Sequence, residues 1–136
     1  MVQEIRGKLP KPMKRLSDKE EEIMGMLWSH GPMFVREMLD LYPEPQPHFN
    51  TVSTFVRGLE VKGMLTHERV GNSFRYIPTV SAEQYRRETL PGLLSRLFGG
   101  SGLKMVSALV KEEVVSPEEL RQLLAELEES DTDSHF

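Results

Sequence analysis

The sequence predicts a mostly α-helical chain broken by one small β-hairpin. Three observations predict it. Apolar residues recur with helical spacing in six separate stretches, so that each stretch has one apolar face. Three of those stretches begin with Ser followed three residues later by Glu or Gln, the reciprocal capping pattern. One segment, around Gly71-Asn72, alternates with period two instead.

The first fifteen residues hold Gly7, Pro10 and Pro12 and no periodic apolar face, so residues 1–15 are expected to form a flexible basic arm. The first helix starts at the capping box Ser17-Asp18-Lys19-Glu20, packs Leu16, Ile23 and Leu27, and stops at His30-Gly31-Pro32. Val35, Met38, Leu39 and Tyr42 predict a short second helix over 34–42. Pro43, Pro45 and Pro47 then forbid helix until about residue 48. The third helix, 49–63, carries Val52, Phe55, Val56 and Leu59 on one face and Asn50, Ser53, Thr54 and Arg57 on another. Residues 65–70 and 73–77 flank Gly71-Asn72 as a tight hairpin. Two strands are too few to stand alone, so the hairpin must lean on the helices.

A fourth helix begins at Ser81-Ala82-Glu83-Gln84, with Leu90, Leu93, Leu94 and Leu97 as its stripe and Pro91 as a kink or stagger. Gly99-Gly100-Ser101-Gly102 breaks the chain before a fifth helix striped by Leu103, Val106, Leu109 and Val110. Ser116-Pro117-Glu118-Glu119 opens a sixth, with Leu120, Leu123, Leu124 and Leu127. Residues 131–136 are expected to be a disordered tail. Trp28 is expected to serve core or interface packing.

The net charge of −4 is unevenly spread. Residues 1–80 hold eleven Lys or Arg against ten Asp or Glu; residues 81–136 hold six against eleven. Arg6, Lys8, Lys11, Lys14 and Arg15 follow one another without an intervening acid. Zero Cys excludes a disulfide framework, a thiolate zinc site and a cysteine nucleophile. The four His have no ligand spacing, and no metal, cofactor or catalytic constellation is expected. No apolar run approaches a membrane span and no signal-peptide core begins the chain, so the expected location is the cytoplasm.

Helix, short helix, helix and hairpin in that order make a winged helix-turn-helix over residues 16–80. The third helix then enters a DNA major groove, where short polar side chains reach base edges. Asn50, Thr51, Ser53 and Thr54 are such side chains and are also weak helix formers, which a merely solvated face does not select. A solvated face is the alternative. Arg57 on the same polar stripe is a further DNA-binding candidate; Arg69, Asn72 and Arg75 on the wing are candidates for the sugar-phosphate backbone, and Lys14 and Arg15 in the arm for a minor groove or for screening phosphates. Residues 81–130 carry leucine stripes with little to bury against in one chain. A homodimer through Leu94, Leu97, Val106, Leu109, Val110, Leu120, Leu123, Leu124 and Leu127 would cover them; wrapping back onto the winged helix is the alternative.

Together Leu16-Ser17, Leu27-Trp28, the run Asn50-Thr51-Val52-Ser53-Thr54 through Leu59 to Lys62-Gly63, Phe74-Arg75-Tyr76 and Phe98-Gly99-Gly100 carry a likeness. Over residues 16–128 the chain resembles the penicillinase-repressor family. The resemblance implies a dimeric winged-helix repressor that covers a palindromic DNA operator and silences antibiotic-resistance genes. It also places Asn50, Thr51, Ser53 and Thr54 where the family contacts DNA, although the family often has Lys or Thr where Asn50 stands and Lys or Arg where Ser53 stands. Family members can be inactivated by cleavage of an Asn-Phe bond in the fifth helix; Ala108-Leu109 stands there in this chain. Whether a membrane-bound sensor protease is a partner stays open. A copper-sensing branch uses C-terminal Cys, which this chain lacks. The competing function from another class is a winged-helix protein–protein interaction module, which needs neither the short polar stripe nor the basic arm.

Overall fold

The structure, a computed structural model, describes residues 15–134, with side chains through residue 130. Lys14 and the rest of the predicted arm before Arg15 lie outside the described residues. The elements are α1 (Asp18–His30), β1 (Met33–Phe34), α2 (Val35–Asp40), α3 (Phe49–Val61), β2 (Leu65–Val70), β3 (Ser73–Pro78), α4 (Ala82–Phe98), α5 (Gly102–Lys111) and α6 (Pro117–Ser134). The expected mostly helical chain with a winged helix and three following helices is what the structure shows. It divides into two compact units, one ending at Thr89 and the other starting at Leu90.

In the first unit α1 begins as its sequence dictates. The Glu20 amide donates to Ser17 Oγ at 3.2 Å, and the Ser17 amide donates to Glu20 Oε1 at 2.9 Å. The helix ends where Gly31 takes φ 86°, a conformation glycine adopts without a Cβ penalty. Ile23, Met24 and Leu27 are fully buried from α1, Met38 from α2, and Val52, Val56 and Leu59 from α3, so the three helices share one core. At roughly 1.5–3 kcal/mol per buried aliphatic side chain, these seven supply most of what holds α3 in place. Two fixed points add direction to that packing. Trp28 Nε1 donates to the Val80 carbonyl at 2.8 Å, and the Trp28 and Tyr85 rings lie 5.5 Å apart.

Two elements differ from the expectation. The second helix is shorter, because Met33 and Phe34 form a strand before it. That strand pairs antiparallel with β3 (Met33 opposite Tyr76, Phe34 opposite Arg75), so the hairpin gains a third strand in the order β1-β3-β2. This is how the hairpin leans on the helices. Gly71 at φ 63° makes the two-residue turn between Val70 and Ser73. The compact unit also extends into α4, because Tyr85 is buried and its hydroxyl donates to Glu21 Oε2 at 2.5 Å.

In the second unit the Gly100 amide donates to the Leu94 carbonyl at 3.0 Å, closing α4 with two left-handed glycines, Gly99 and Gly100. Ser101 caps α5 through the Lys104 amide at 3.1 Å. Ser116 and Glu119 form a complete capping box on α6, which runs on to Ser134, past its expected end. No single helix among the described residues is long and apolar enough to cross a membrane.

Candidate nucleic-acid interface

The third helix is held at both ends and along its inner face. His48 Nδ1 accepts the Asn50 amide at 3.4 Å at the start. At the end, Lys62 Nζ donates to Glu20 Oε1 at 2.7 Å, tying the end of α3 to the beginning of α1. Burial pushes the Glu20 carboxyl upward, but the Lys62 hydrogen bond, the Ser17 amide and the Lys62 charge outweigh it. The carboxyl therefore ends below its ordinary pKa. Glu20 thus serves two elements at once: it caps α1 and anchors α3.

With Val52, Val56 and Leu59 turned inward, Asn50, Thr54 and Arg57 occupy the outward face, one above another at i, i+4 and i+7. All three are exposed, as is Thr51 to one side. The Thr54 hydroxyl donates to the Asn50 carbonyl at 2.9 Å and accepts from Arg57 at 3.5 Å, so this face is ordered without neighbouring elements. Ser53 sits differently from the rest of the polar stripe: it is half-buried and lines a groove beside the helix.

That groove, about 640 Å³, lies between α2, α3 and the wing. Its walls include Arg36 and Asp40 from α2, Phe49, Ser53 and Arg57 from α3, and Asn72, Ser73, Phe74 and Tyr76 from the wing. The Arg36 guanidinium stands 6.0 Å from the centroid of the Phe49 ring, within cation–π reach.

The predicted wing residues are not equivalent. Asn72 is exposed at the turn, and Arg69 Nε donates to the Gly71 carbonyl at 3.2 Å. Arg75 is committed to Glu68 across the hairpin, with Nε donating to Oε2 at 2.7 Å. A phosphate would have to compete with that carboxylate. Glu60 on α3 accepts from, or pairs with, His67 Nδ1 on β2 at 2.8 Å, fastening the helix to the wing root. Among the described residues, Arg36, Arg57 and Arg69 form no ion pair. Arg15 is exposed, and its carbonyl accepts from Lys62 Nζ at 3.4 Å. Sequence reasoning missed Arg36 and the Glu68–Arg75 pairing. The hairpin register carried a signal for the second: a two-residue turn at 71–72 places 68 opposite 75.

The leucine stripes are well exposed on the chain as described. Leu97 is 65% exposed, Leu123 48%, Leu124 54% and Leu127 56%, and Val106 is exposed as well. Leu94, Leu109, Val110 and Leu120 are half-buried, as is Ala108 beside Leu109 in the middle of α5. Large apolar side chains are ordinarily covered, so this number of exposed ones on three helices is unusual for a single chain. No group of His, Asp or Glu able to hold a metal ion occurs among the described residues.

Comparison with known proteins agrees with this architecture. Over 120 residues the chain is 28% identical to the penicillinase repressor of Bacillus licheniformis, covering 88% of this chain and 94% of that one. It is 28% identical over 109 residues to an uncharacterized 16.5 kDa protein of Latilactobacillus sakei, covering 79% and 75%. The family model described as penicillinase repressor matches residues 16–129, from the last residue before the α1 cap into α6. The chain therefore belongs to the penicillinase-repressor family, whose members are transcription regulators and not enzymes.

Proposed function

We propose that this protein is a homodimeric, sequence-specific DNA-binding repressor of transcription, acting on a palindromic operator. The observation that carries the reading is the outward face of α3. Asn50, Thr54 and Arg57 stand exposed in one line on a helix whose opposite face is fully buried. A helix fixed this firmly, with short hydrogen-bonding side chains outward, can enter a major groove and discriminate base edges. Thr51 and Ser53 flank that line. Arg57, Arg69 and Asn72 contact the flanking strands, with Arg15 and Lys14 of the arm reaching further along the duplex, and Arg75 joins once it leaves Glu68.

The dimer forms through the second unit. Its exposed Leu97, Val106, Leu123, Leu124 and Leu127, with Leu94, Leu109, Val110 and Leu120, are covered by a second copy. Two reading helices then address two half-sites, and linkage of the heads raises affinity beyond that of either alone. The name of the Bacillus relative supports genes of the β-lactamase type as targets. Derepression follows from loss of the dimer. Cleavage at Ala108-Leu109 by a sensor protease would achieve it, but that bond lacks the Asn-Phe pair and sits inside a helical turn of α5.

The test is a gel shift with the full chain on its own promoter in excess non-specific DNA. A retarded complex that survives competitor and yields a two-fold symmetric footprint is expected. Binding that competitor abolishes, alongside capture of a protein partner by the same face, would replace the DNA reading with the protein-interaction one.

A further inference from the structure

The groove between α2, α3 and the wing contains a group that the fold leaves unused. Tyr76 lines it and is 7% exposed, yet its hydroxyl forms no hydrogen bond in the structure. At the wall of a groove open to solvent such a hydroxyl is satisfied by water, which an acceptor on a ligand can displace. Its packing does not need the hydroxyl: the ring is held by His67, 5.7 Å away, and by pairing of β3 with both neighbours. Burial and the Glu60 charge push the Tyr76 pKa up, against a smaller opposing effect of Arg57, so the hydroxyl stays a donor at neutral pH.

What surrounds it is donor-rich. Arg57 and Arg36 face the same groove from α3 and α2, and neither has an ion pair. Asn72 and Ser73 supply further hydrogen-bonding side chains from the wing. Two acids share the α2 wall. Glu37 is occupied, accepting the Phe34 amide at 2.9 Å. Asp40 lies one helical turn beyond Arg36, about 6 Å along the axis, and limits an anion to the Arg36 end.

Resting on the DNA-binding reading above, we propose that this groove seats one phosphodiester group of each operator half-site. Tyr76 and Arg57 donate to its oxygens, and Arg36 closes over it while braced on Phe49. An anionic, acceptor-only group matches three kinds of donor and two cations without an ion pair. Flanking of the groove by the reading helix on one side and the wing on the other is where a strand leaves the major groove. Arg36, rather than the Glu68-bound Arg75, is then a principal cation on the phosphate backbone.

The experiment uses the full chain and operator duplexes carrying a neutral methylphosphonate at one phosphate at a time. Wild type is expected to lose about tenfold at one position per half-site, the size of one hydrogen bond to a charged group. Tyr76→Phe and Arg36→Ala are expected to bind unmodified operator about tenfold more weakly, with unchanged base preference, and to lose less than wild type on that one substitution. Arg36→Ala should also lower the salt slope by about 0.9, while Tyr76→Phe leaves it unchanged. Both variants binding like wild type, or losing affinity additively at every modified phosphate, would overturn the groove assignment alone. Failure of wild type to bind any operator specifically would remove the DNA reading with it. Should Tyr76→Phe melt early, the Arg36→Ala arm decides, since that side chain is exposed and outside the core.

Discussion

Replacing Lys62 with Met isolates the contact that orients the reading helix. The Glu20 side chain is 9% exposed and Lys62 26%, with 2.7 Å between their charged atoms. Removing one partner of a fully buried pair costs about 3–5 kcal/mol. Here the cost is smaller, because water can reach the place the ammonium vacates and the Ser17 amide still donates to Glu20 at 2.9 Å. What is lost is close to one hydrogen bond to a charged group, about 2 kcal/mol. For a unit of this size that is roughly 8–16 °C in Tm. Trp28 is the only tryptophan and lies in the first unit, so its fluorescence follows unfolding of that unit by itself. The pH dependence has a definite sign. The Glu20 carboxyl is depressed in the folded state, so its stabilisation is present above the ordinary carboxylate pKa of about 4.3 and fades as pH falls through the lower folded value. Wild type and Lys62→Met should therefore differ at pH 7 and converge in acid. A difference under about 0.5 kcal/mol at pH 7, or one that persists unchanged well below pH 4, would refute the assignment of Lys62 as the anchor of α3.

Three further outcomes are expected. Leu123→Asp or Leu124→Asp should convert a dimer to monomers in sedimentation and abolish the tight operator complex, because an unpaired charge in a covered apolar surface costs several kcal/mol; a dimer that survives either change locates the interface elsewhere. Asn50→Ala and Thr54→Ala should relax preference at individual base pairs by about 1–3 kcal/mol each, measured by selection from a randomised half-site. Glu68→Ala frees Arg75 and removes an acid from the wing, so non-specific binding at low salt should strengthen several-fold with a steeper salt dependence; weaker binding would mean that Glu68 positions Arg75 productively.

The helices were legible because their signals are local. Ser17 and Glu20 are three residues apart, as are Ser116 and Glu119, and each pair makes its two hydrogen bonds whatever the rest of the chain does. The apolar face of α3 follows from spacing alone, and with it the outward position of Asn50, Thr54 and Arg57. Strand β1 was not legible: two residues carry no period, and Met33 is a strand residue only because Tyr76, forty-three positions later, is there to pair with it. Glu20 shows a capping role in the sequence, while its bond to Lys62 exists only because the core brings the start of α1 beside the end of α3. The same holds for the groove. Arg36, Arg57 and Tyr76 come from three elements, and no spacing in the chain announces that they line one wall. Sequence by itself determined which residues turn inward along α1, α2 and α3, through spacings of three and four residues. Tertiary structure decided which exposed cations are free and which are already held, because that depends on side chains from segments far apart in the chain competing for the same partners.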